Sequence, residues 1–346
     1  MRITQLTVDN FRNHTHSTLQ LADGVNVLVG PNAQGKTNLL EAIYLSCVGR
    51  GWRTSRDNEM VQFGAESALV QVTAAKRFGS VEIAIQLGLG LKKSISINRV
   101  PIAKVAELMG QINCIFFSPD ELKLVKETPA DRRRFMNIDI SQIDKSYFYA
   151  LTRYNKILQQ RNAYLKNNGD PRELDIWDMQ LVKQGTVLIQ KRQEFIAQLT
   201  PYVVAKHRAL TGGQETITLT YETSTDLARD LAAARERDLR LRTTTVGPHR
   251  DDLAILINDK DVRIYGSQGQ QRTVALSIKL AEMDLFTALT GETPILLLDD
   301  VFSELDSSRQ ERLLTTIAKS QVVITATDAP SIGKIFTVKN GTVTPQ

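Results

Sequence analysis

The chain has 346 residues, of which 42% are hydrophobic and 23% charged, and it carries a net charge of +5. These values are ordinary for a folded globular protein and predict two domains with ample apolar material for a core. No apolar run approaches the roughly 18 residues of a membrane-spanning helix and no signal-peptide core follows Met1, so we expect a cytoplasmic protein.

The first informative unit is a strand, a glycine-rich loop and a helix. The apolar run 25–29 predicts a buried strand, and the periodicity of 38–47 predicts an amphipathic helix. Between them, 30–37 has the glycine spacing and Lys-Thr ending of a phosphate loop, in which backbone N–H groups and the lysine bind a polyphosphate and the threonine binds Mg²⁺. A chance glycine-rich turn is the alternative, which the flanking strand and helix disfavour. The nucleotide-binding candidates are Gly30, Pro31, Asn32, Ala33, Gln34, Gly35, Lys36, Thr37 and Asn38.

The middle of the chain changes from strand to helix periodicity. Alternation in 68–75, 81–87 and 93–97 predicts an antiparallel sheet with one solvent-facing side. Helical spacing over 143–165 and 174–199, around a turn signal at 167–171, predicts an antiparallel helical hairpin whose aromatic residues serve packing rather than base stacking. Cys47 and Cys114 have apolar neighbours, and we expect both to be reduced and buried.

Two arginine clusters accompany the basic net charge, which favours a polyanionic partner. One is the contiguous run 132–134, and the other comprises the arginines of 229–242. In the second cluster, the spacing predicts helical ion pairs of Glu236 with Arg240 and of Asp238 with Arg242. Contact with DNA and a solvated protein face are both open for each cluster.

The C-terminal third adds a second anion-binding candidate. A hairpin is predicted from 253–257 and 262–265 around Asp259-Lys260, followed by Ser267-Gln-Gly269-Gln270 at the start of a helix that ends near residue 289. A serine and a glycine at a helix start can bind an anion. An ordinary helix N-cap is the alternative.

Two aspartates then follow an apolar run, 294–299, that predicts a parallel strand covered on both faces. At the carboxyl end of that strand, Asp299 can bind Mg²⁺ and Asp300 can act as the base that activates water, with Glu304 as the next candidate. The segment 303–306 (Ser-Glu-Leu-Asp) follows, and Asp306 can cap a helix from Ser307. A further strand is predicted at 321–327, and Asn340-Gly341 predicts a hairpin turn.

The order of these motifs resembles ABC-type ATPase heads of the SMC and DNA-repair group. In that group one chain's Ser-x-Gly-Gln closes on the nucleotide of another, so ATP holds a head-to-tail dimer together. Four further segments resemble the RecF family of bacterial DNA replication and repair proteins, although Glu127 and Asn137 replace a usual glycine and aspartate. Those segments are 10–13, which adds Arg12 and Asn13 to the nucleotide-binding candidates, and 117–125, 129–135 and 245–252.

The resemblance implies an α/β fold. It consists of an ABC-type ATPase head, with a mixed sheet, flanking helices and an antiparallel β subdomain, formed by 1–125 and 243–346, with an inserted mostly helical domain at 126–242. It implies a protein that binds ATP and Mg²⁺, forms a homodimer, binds single-stranded or double-stranded DNA at gaps or stalled forks, and assists RecA loading and the SOS response with RecR and RecO. Transporter ATPases carry a histidine after the strand at 321–327; here only Thr325 and Thr327 are available, so we expect slow, DNA-dependent hydrolysis.

Three other functions are considered. A transporter ATPase is disfavoured by the missing histidine, and a phage-defence ATPase fused to a nuclease by the short segment after the second ATPase half. A nucleotide-binding scaffold that does not hydrolyse ATP stays open.

Overall fold

The structure, a computed structural model, describes residues 1–54, 56–167, 173–301, 320–328 and 332–345, without the side chains of 120 and 121. Its strands, numbered in chain order, are β1 (Arg2–Phe11), β2 (His14–Gln20), β3 (Val25–Val29), β4 (Ser67–Ala75), β5 (Ser80–Gly88), β6 (Ser94–Ile97), β7 (Val100–Pro101), β8 (Cys114–Phe117), β9 (Ile217–Glu222), β10 (Asp252–Ile257), β11 (Lys260–Asp261), β12 (Ile295–Asp299), β13 (Val322–Ala326), β14 (Lys334–Lys339) and β15 (Thr342–Pro345). Its α-helices are α1 (Lys36–Val48), α2 (Lys123–Lys126), α3 (Pro129–Ile143), α4 (Lys145–Lys166), α5 (Leu174–Thr211), α6 (Leu227–Leu241), α7 (Val262–Tyr265) and α8 (Gln268–Thr290).

The chain divides into two units. Unit 1 combines Met1–Glu121 with Lys279–Gln346, and unit 2 is Leu122–Ile278. The sequence placed the second boundary near 243, whereas 243–278 groups with unit 2. The reason is that β10 pairs with β9 over its whole length, from Asp252 opposite Glu222 to Ile257 opposite Ile217.

Unit 1 contains two six-stranded sheets. The first has the order β2-β1-β4-β5-β6-β7 and is antiparallel throughout. Buried residues alternate along β4 and β5, so one face of the sheet is more exposed than the other. This confirms the predicted antiparallel sheet. The second sheet has the order β15-β14-β3-β13-β12-β8 and is parallel except for the terminal β15.

The register of the second sheet positions the candidate site. Val27 of β3 pairs with Ile324 of β13, which pairs with Leu298 of β12. Because these strands are parallel, their carboxyl ends meet at one edge of the sheet. The glycine-rich loop, the two aspartates and Thr325 therefore lie at that edge.

Helix α1 leaves this edge and contacts strands of both sheets. Buried positions occur on every side of it, including the charged Glu41, whose side chain has no exposed surface. The predicted amphipathic helix is therefore wrong in one respect. A helix enclosed by two sheets has no solvent face, and its polar residues need partners inside the protein.

Unit 2 contains helices α2 to α7, the first part of α8 and the three-stranded sheet β11-β10-β9. Helices α4 and α5 run antiparallel. Near the end of α4, Arg161 donates to Asp178 at the beginning of α5, whereas Tyr147 near the beginning of α4 accepts from Arg192 farther along α5. This confirms the predicted helical hairpin, although its turn at 168–172 lies outside the described residues.

One predicted strand of unit 2 is wrong. Val262–Tyr265 forms the short helix α7 rather than a strand. The turn of the hairpin is Asn258-Asp259, both with positive φ, and the strand after it stops at Asp261. The Asp261 side chain accepts a hydrogen bond from the Arg263 N–H (2.8 Å) and so begins the helix instead.

The arginine clusters are partly structural. Arg132 is buried and donates to both carboxylate oxygens of Asp252 (2.6 and 2.9 Å), so it is not available to DNA. The predicted pair of Asp238 with Arg242 is wrong, because Asp238 accepts from buried Arg161 (2.7 Å) instead. No helix in the described part of the chain is long and apolar enough to span a membrane.

Candidate functional site

The glycine-rich loop between β3 and α1 has little space for side chains. Gly35 has φ 112°, and a Cβ there would lie 2.6 Å from both the Asn13 side chain and the His14 ring. A Cβ at Gly30 would lie 2.3 Å from the Val338 carbonyl oxygen. Backbone with positive φ and such close neighbours requires glycine, which explains both glycines of the motif.

The loop lines a pocket of about 270 Å³. Inside it, the Lys36 ammonium donates to the carbonyls of Gly30 (2.5 Å) and Pro31 (2.9 Å). Burial lowers the pKa of Lys36, and Asp300 and Asp299 oppose this effect. The lining residues are Asn13, Asn32, Ala33, Gln34, Gly35, Lys36, Thr37, Asn38, Arg53, Asp300 and Thr325.

Three hydroxyl and carboxyl groups meet at the strand ends. The hydroxyls of Thr37 and Thr325 both donate to Oδ1 of Asp299, each at 2.8 Å. Burial raises the pKa of Asp299, although the two hydroxyls oppose the shift. A half-buried carboxylate and a threonine hydroxyl are oxygen ligands of the kind that Mg²⁺ prefers, and the cation would offset the cost of partly burying the charge. Among the described residues, no group of three or more His, Cys, Asp or Glu side chains could hold a metal ion.

Asp300 follows Asp299 with φ 52°, and its side chain lines the pocket. Its N–H donates to the Thr325 hydroxyl (2.8 Å), which itself donates to Asp299. One buried hydroxyl thus sets the position of both aspartates. Thr327 is exposed, and its hydroxyl contacts Asp328 (3.3 Å).

The sequence did not single out Arg53, which lines the pocket. Arg53 donates to Oε2 of Glu41 (2.6 Å) and to Oδ1 of Asn38, and its guanidinium lies over the Trp52 ring. Arg12 donates to the same Glu41 oxygen (2.9 Å) and to the Glu59 carbonyl, and it is not among the lining residues. The sequence did contain a signal for these two arginines, because the charged Glu41 in an apolar helix implies a cationic partner.

The sequence also did not single out His14. Its fully buried ring lies between the carbonyls of Gly35 (3.1 Å) and Gly341 (2.8 Å). Asn13 donates to the Gln34 carbonyl (2.9 Å), and the Asn340 N–H donates to the Gln34 side chain (2.7 Å). The phosphate loop is thus fixed by the turn between β1 and β2 and by the predicted hairpin turn between β14 and β15.

The signature segment (267–270) belongs to unit 2 and forms a reciprocal cap at the start of α8. The Ser267 hydroxyl accepts from the Gln270 N–H (3.3 Å), and the Gln270 side-chain oxygen accepts from the Ser267 N–H (2.8 Å). This is the capping box that Ser-x-x-Gln predicts. Ser267 and Gly269 lie at the start of this helix, where anions are favoured. The segment 303–306, with Glu304 and the predicted helix from 307, lies outside the described residues.

A family model and curated relatives match this chain over nearly its whole length. A model of the RecF/RecN/SMC N-terminal domain matches residues 2–342. The DNA replication and repair protein RecF of Lachnospira eligens is 42% identical and aligns over 99% of each chain. RecF of Ruminiclostridium cellulolyticum is also 42% identical, over 98% of this chain and 96% of its own.

Solved structures of RecF and of SMC heads are also similar to this chain. RecF with ATP, a recombination mediator of the RecFOR pathway, matches with a TM-score of 0.94 and 35% identity over 100% of this chain and 97% of that chain. An SMC head bound to the C-terminal winged-helix domain of ScpA matches with a TM-score of 0.61 at 17% identity, over 100% of this chain and 97% of its own, which shows a common fold alone. The predicted fold class, an ABC-type ATPase head, is confirmed.

Proposed function

This chain belongs to the family of RecF/RecN/SMC N-terminal domains, and we propose that it is an ATP-binding DNA replication and repair protein of the RecF type. One observation carries the proposal. The buried Lys36 and the strand-end Asp300 line one pocket with the glycine-rich loop, and Asp299 accepts a hydrogen bond from Thr37 of the same lining. A polyphosphate is the ligand that supplies anionic oxygens to the lysine and shares a divalent cation with the carboxylate.

The chain's residues then have separate roles. Lys36 exchanges its carbonyl partners for β- and γ-phosphate oxygens, and the loop N–H groups bind the same phosphates. Thr37 and Asp299 hold Mg²⁺, which when bound neutralises phosphate charge. Asp300 accepts a proton from the attacking water, and the exposed Arg53 guanidinium offers a second cation to the nucleotide.

The signature segment acts in a second copy of the chain. Ser267, Gly269 and Gln270 present a hydroxyl, an N–H and a capped helix start to the γ-phosphate held by the other subunit, so ATP stabilises a head-to-tail homodimer. ATP can do this only if it binds the dimer more tightly than it binds two monomers. Thr327 is the remaining candidate for the γ-phosphate contact, because the Thr325 hydroxyl is engaged by the aspartates. With no charged group at this position, hydrolysis is slow and acts as a switch.

The partner of the dimer is DNA at gaps or stalled forks, single-stranded or double-stranded, and hydrolysis is DNA-dependent. Relatives named for DNA replication and repair, and a RecF of the RecFOR pathway, support this proposal. The same likeness implies cooperation with RecR and RecO in RecA loading and the SOS response. The net charge of +5 suits a polyanion.

Replacement of Lys36 tests the nucleotide site. Lys36→Ala should weaken ATP binding by about 2–5 kcal/mol, because a phosphate loses its cation in a desolvated pocket. Titration calorimetry with ATP and Mg²⁺ measures this, and Lys92→Ala, at an exposed lysine, is the matched control. ATP affinity in Lys36→Ala equal to that of the control would refute the site.

DNA binding is tested by its dependence on salt and nucleotide. Log affinity for gapped duplex should fall linearly with log salt, by about 0.9 per phosphate contacted. ATP should steepen this slope, since a dimer presents two sets of basic residues. Equal affinity with ATP, with ADP and without nucleotide would contradict a DNA clamp driven by ATP.

A further inference from the structure

A carboxylate outside the motifs is bonded to the signature segment. Glu215 lies between α5 and β9, and its Oε1 accepts a hydrogen bond from Nε2 of Gln270 (2.9 Å). Its Oε2 lies 3.1 Å from Nε2 of His207, near the end of α5. The Glu215 side chain is 19% exposed and the His207 side chain is fully buried. All three residues belong to unit 2.

The bonds of Glu215 decide which way the Gln270 amide faces. A carboxylate can only accept hydrogen bonds, so the nitrogen of the amide must face Glu215. The amide oxygen is then directed to the Ser267 N–H, which donates to it at 2.8 Å. Without a fixed acceptor, the amide could rotate and place its NH₂ group against that N–H, which would break the capping box.

The imidazole of His207 holds the carboxylate in turn. Burial lowers the pKa of His207, although the Glu215 carboxylate opposes the effect. Its Nε2 must carry the hydrogen that Glu215 accepts, because a carboxylate can only accept. On the other side of the ring, Nδ1 lies 3.1 Å from Oγ of Ser277 on α8, whose hydroxyl donates to the Thr273 carbonyl (2.6 Å). Glu215 therefore has a donor on each side, one from α5 and one from the signature segment.

We propose that Glu215 is a positioning residue for the signature segment, which fixes the Gln270 amide so that Ser267 and the start of α8 are presented to the nucleotide of the second subunit. The inference rests on the proposed function, because it requires the signature segment to act in ATP-induced dimerisation. It adds a residue, and a connection to α5 through His207, that no motif of the sequence contains.

Glu215→Ala removes the acceptor and should weaken ATP-induced dimerisation. A hydrogen bond to a charged group corresponds to roughly tenfold or more per site. A symmetric dimer contains two sites, so its dissociation constant with ATP should rise roughly 100-fold. ATP affinity of the monomer should not change, because Glu215 lies in unit 2 and the phosphate loop in unit 1. Glu236→Ala, at an exposed glutamate of α6, is the charge-matched control.

Glu215→Gln separates positioning from a need for negative charge. Its amide oxygen can accept from Gln270 while its nitrogen donates to Nε2 of His207 in the other neutral tautomer. This variant should dimerise within about threefold of the unmodified chain, since both hydrogen bonds remain. Dimerisation as weak as in Glu215→Ala would overturn the proposal.

A double-mutant cycle with Gln270→Ala completes the test by sedimentation with and without ATP. If Glu215 acts through Gln270, the double variant should be no weaker than Gln270→Ala alone, whereas additive losses would overturn the proposal. Should Glu215→Ala fail to fold, Gln270→Ala removes the same bond from its other end and must show the loss. If Glu215→Ala dimerises normally and Ser267→Arg cannot dimerise, this inference is overturned and the proposed function is not. Normal dimerisation of Ser267→Arg overturns the proposed function as well.

Discussion

Replacement of Thr325 by valine should shift the pH dependence of ATP hydrolysis while leaving nucleotide binding intact. The substitution keeps the shape of a buried side chain and removes one hydroxyl. That hydroxyl donates to Asp299 and accepts from the Asp300 N–H, both at 2.8 Å. Thr325 is thus predicted to hold the two aspartates rather than to contact phosphate.

The size of the shift follows from the lost bond to the carboxylate. A hydrogen bond to a charged acceptor contributes about 1.5–3 kcal/mol, and one pH unit corresponds to about 1.36 kcal/mol. The pKa of Asp299 is already raised by burial, and loss of a donor to its ionised form raises it further. Because Asp299 must be ionised to bind Mg²⁺, the acid limb of the hydrolysis profile should move up by roughly one to two pH units.

Single-turnover hydrolysis measured across pH, together with ATP and ADP affinities, provides the assay. Thr18→Val, at an exposed strand threonine bonded to Thr7 (3.3 Å), is the control and should leave the profile unchanged. This reasoning would be refuted if Thr325→Val lost affinity for ATP relative to ADP while the acid limb of its hydrolysis profile stayed where it is in the unmodified chain. The hydroxyl would then contact the γ-phosphate.

Three further predictions concern other residues. Asp300→Asn should bind ATP normally, hydrolyse it slowly and accumulate ATP-bound dimers in sedimentation, because an amide cannot accept the proton of water; unchanged turnover would exclude Asp300 as the base. Arg132→Ala should lower the free energy of unfolding in urea by about 1–3 kcal/mol, because the half-buried Asp252 carboxylate loses two hydrogen bonds. Arg240→Ala, on the surface of α6, should change that free energy by less than about 0.5 kcal/mol. Burial lowers the pKa of His249 to about 4, so stability should be full above about pH 6.5 and fall by roughly 3 kcal/mol as the pH drops towards 4, an effect that His249→Gln should abolish.

Local patterns were sufficient for the elements that contain the motifs. An apolar run before a glycine-rich loop predicted β3, and Ser267-Gln-Gly269-Gln270 predicted the start of α8, with an N-cap as the alternative to an anion site. The Asn340-Gly341 pair predicted the last hairpin, where both residues have positive φ. These features depend on backbone preferences and side chains within a few residues of each other, which a sequence records directly.

Contacts between distant segments were decided by the tertiary structure. Thr37 and Asp299 are 262 positions apart and meet because β3, β13 and β12 are neighbours in one parallel sheet. The amphipathic pattern expected of α1 failed because a second sheet covers its other side. The bond of Glu215 to Gln270 spans 55 positions. Periodicity shows which face of an element is apolar, but not which strand, helix or charged group lies against it, and that choice is made by packing across the whole chain.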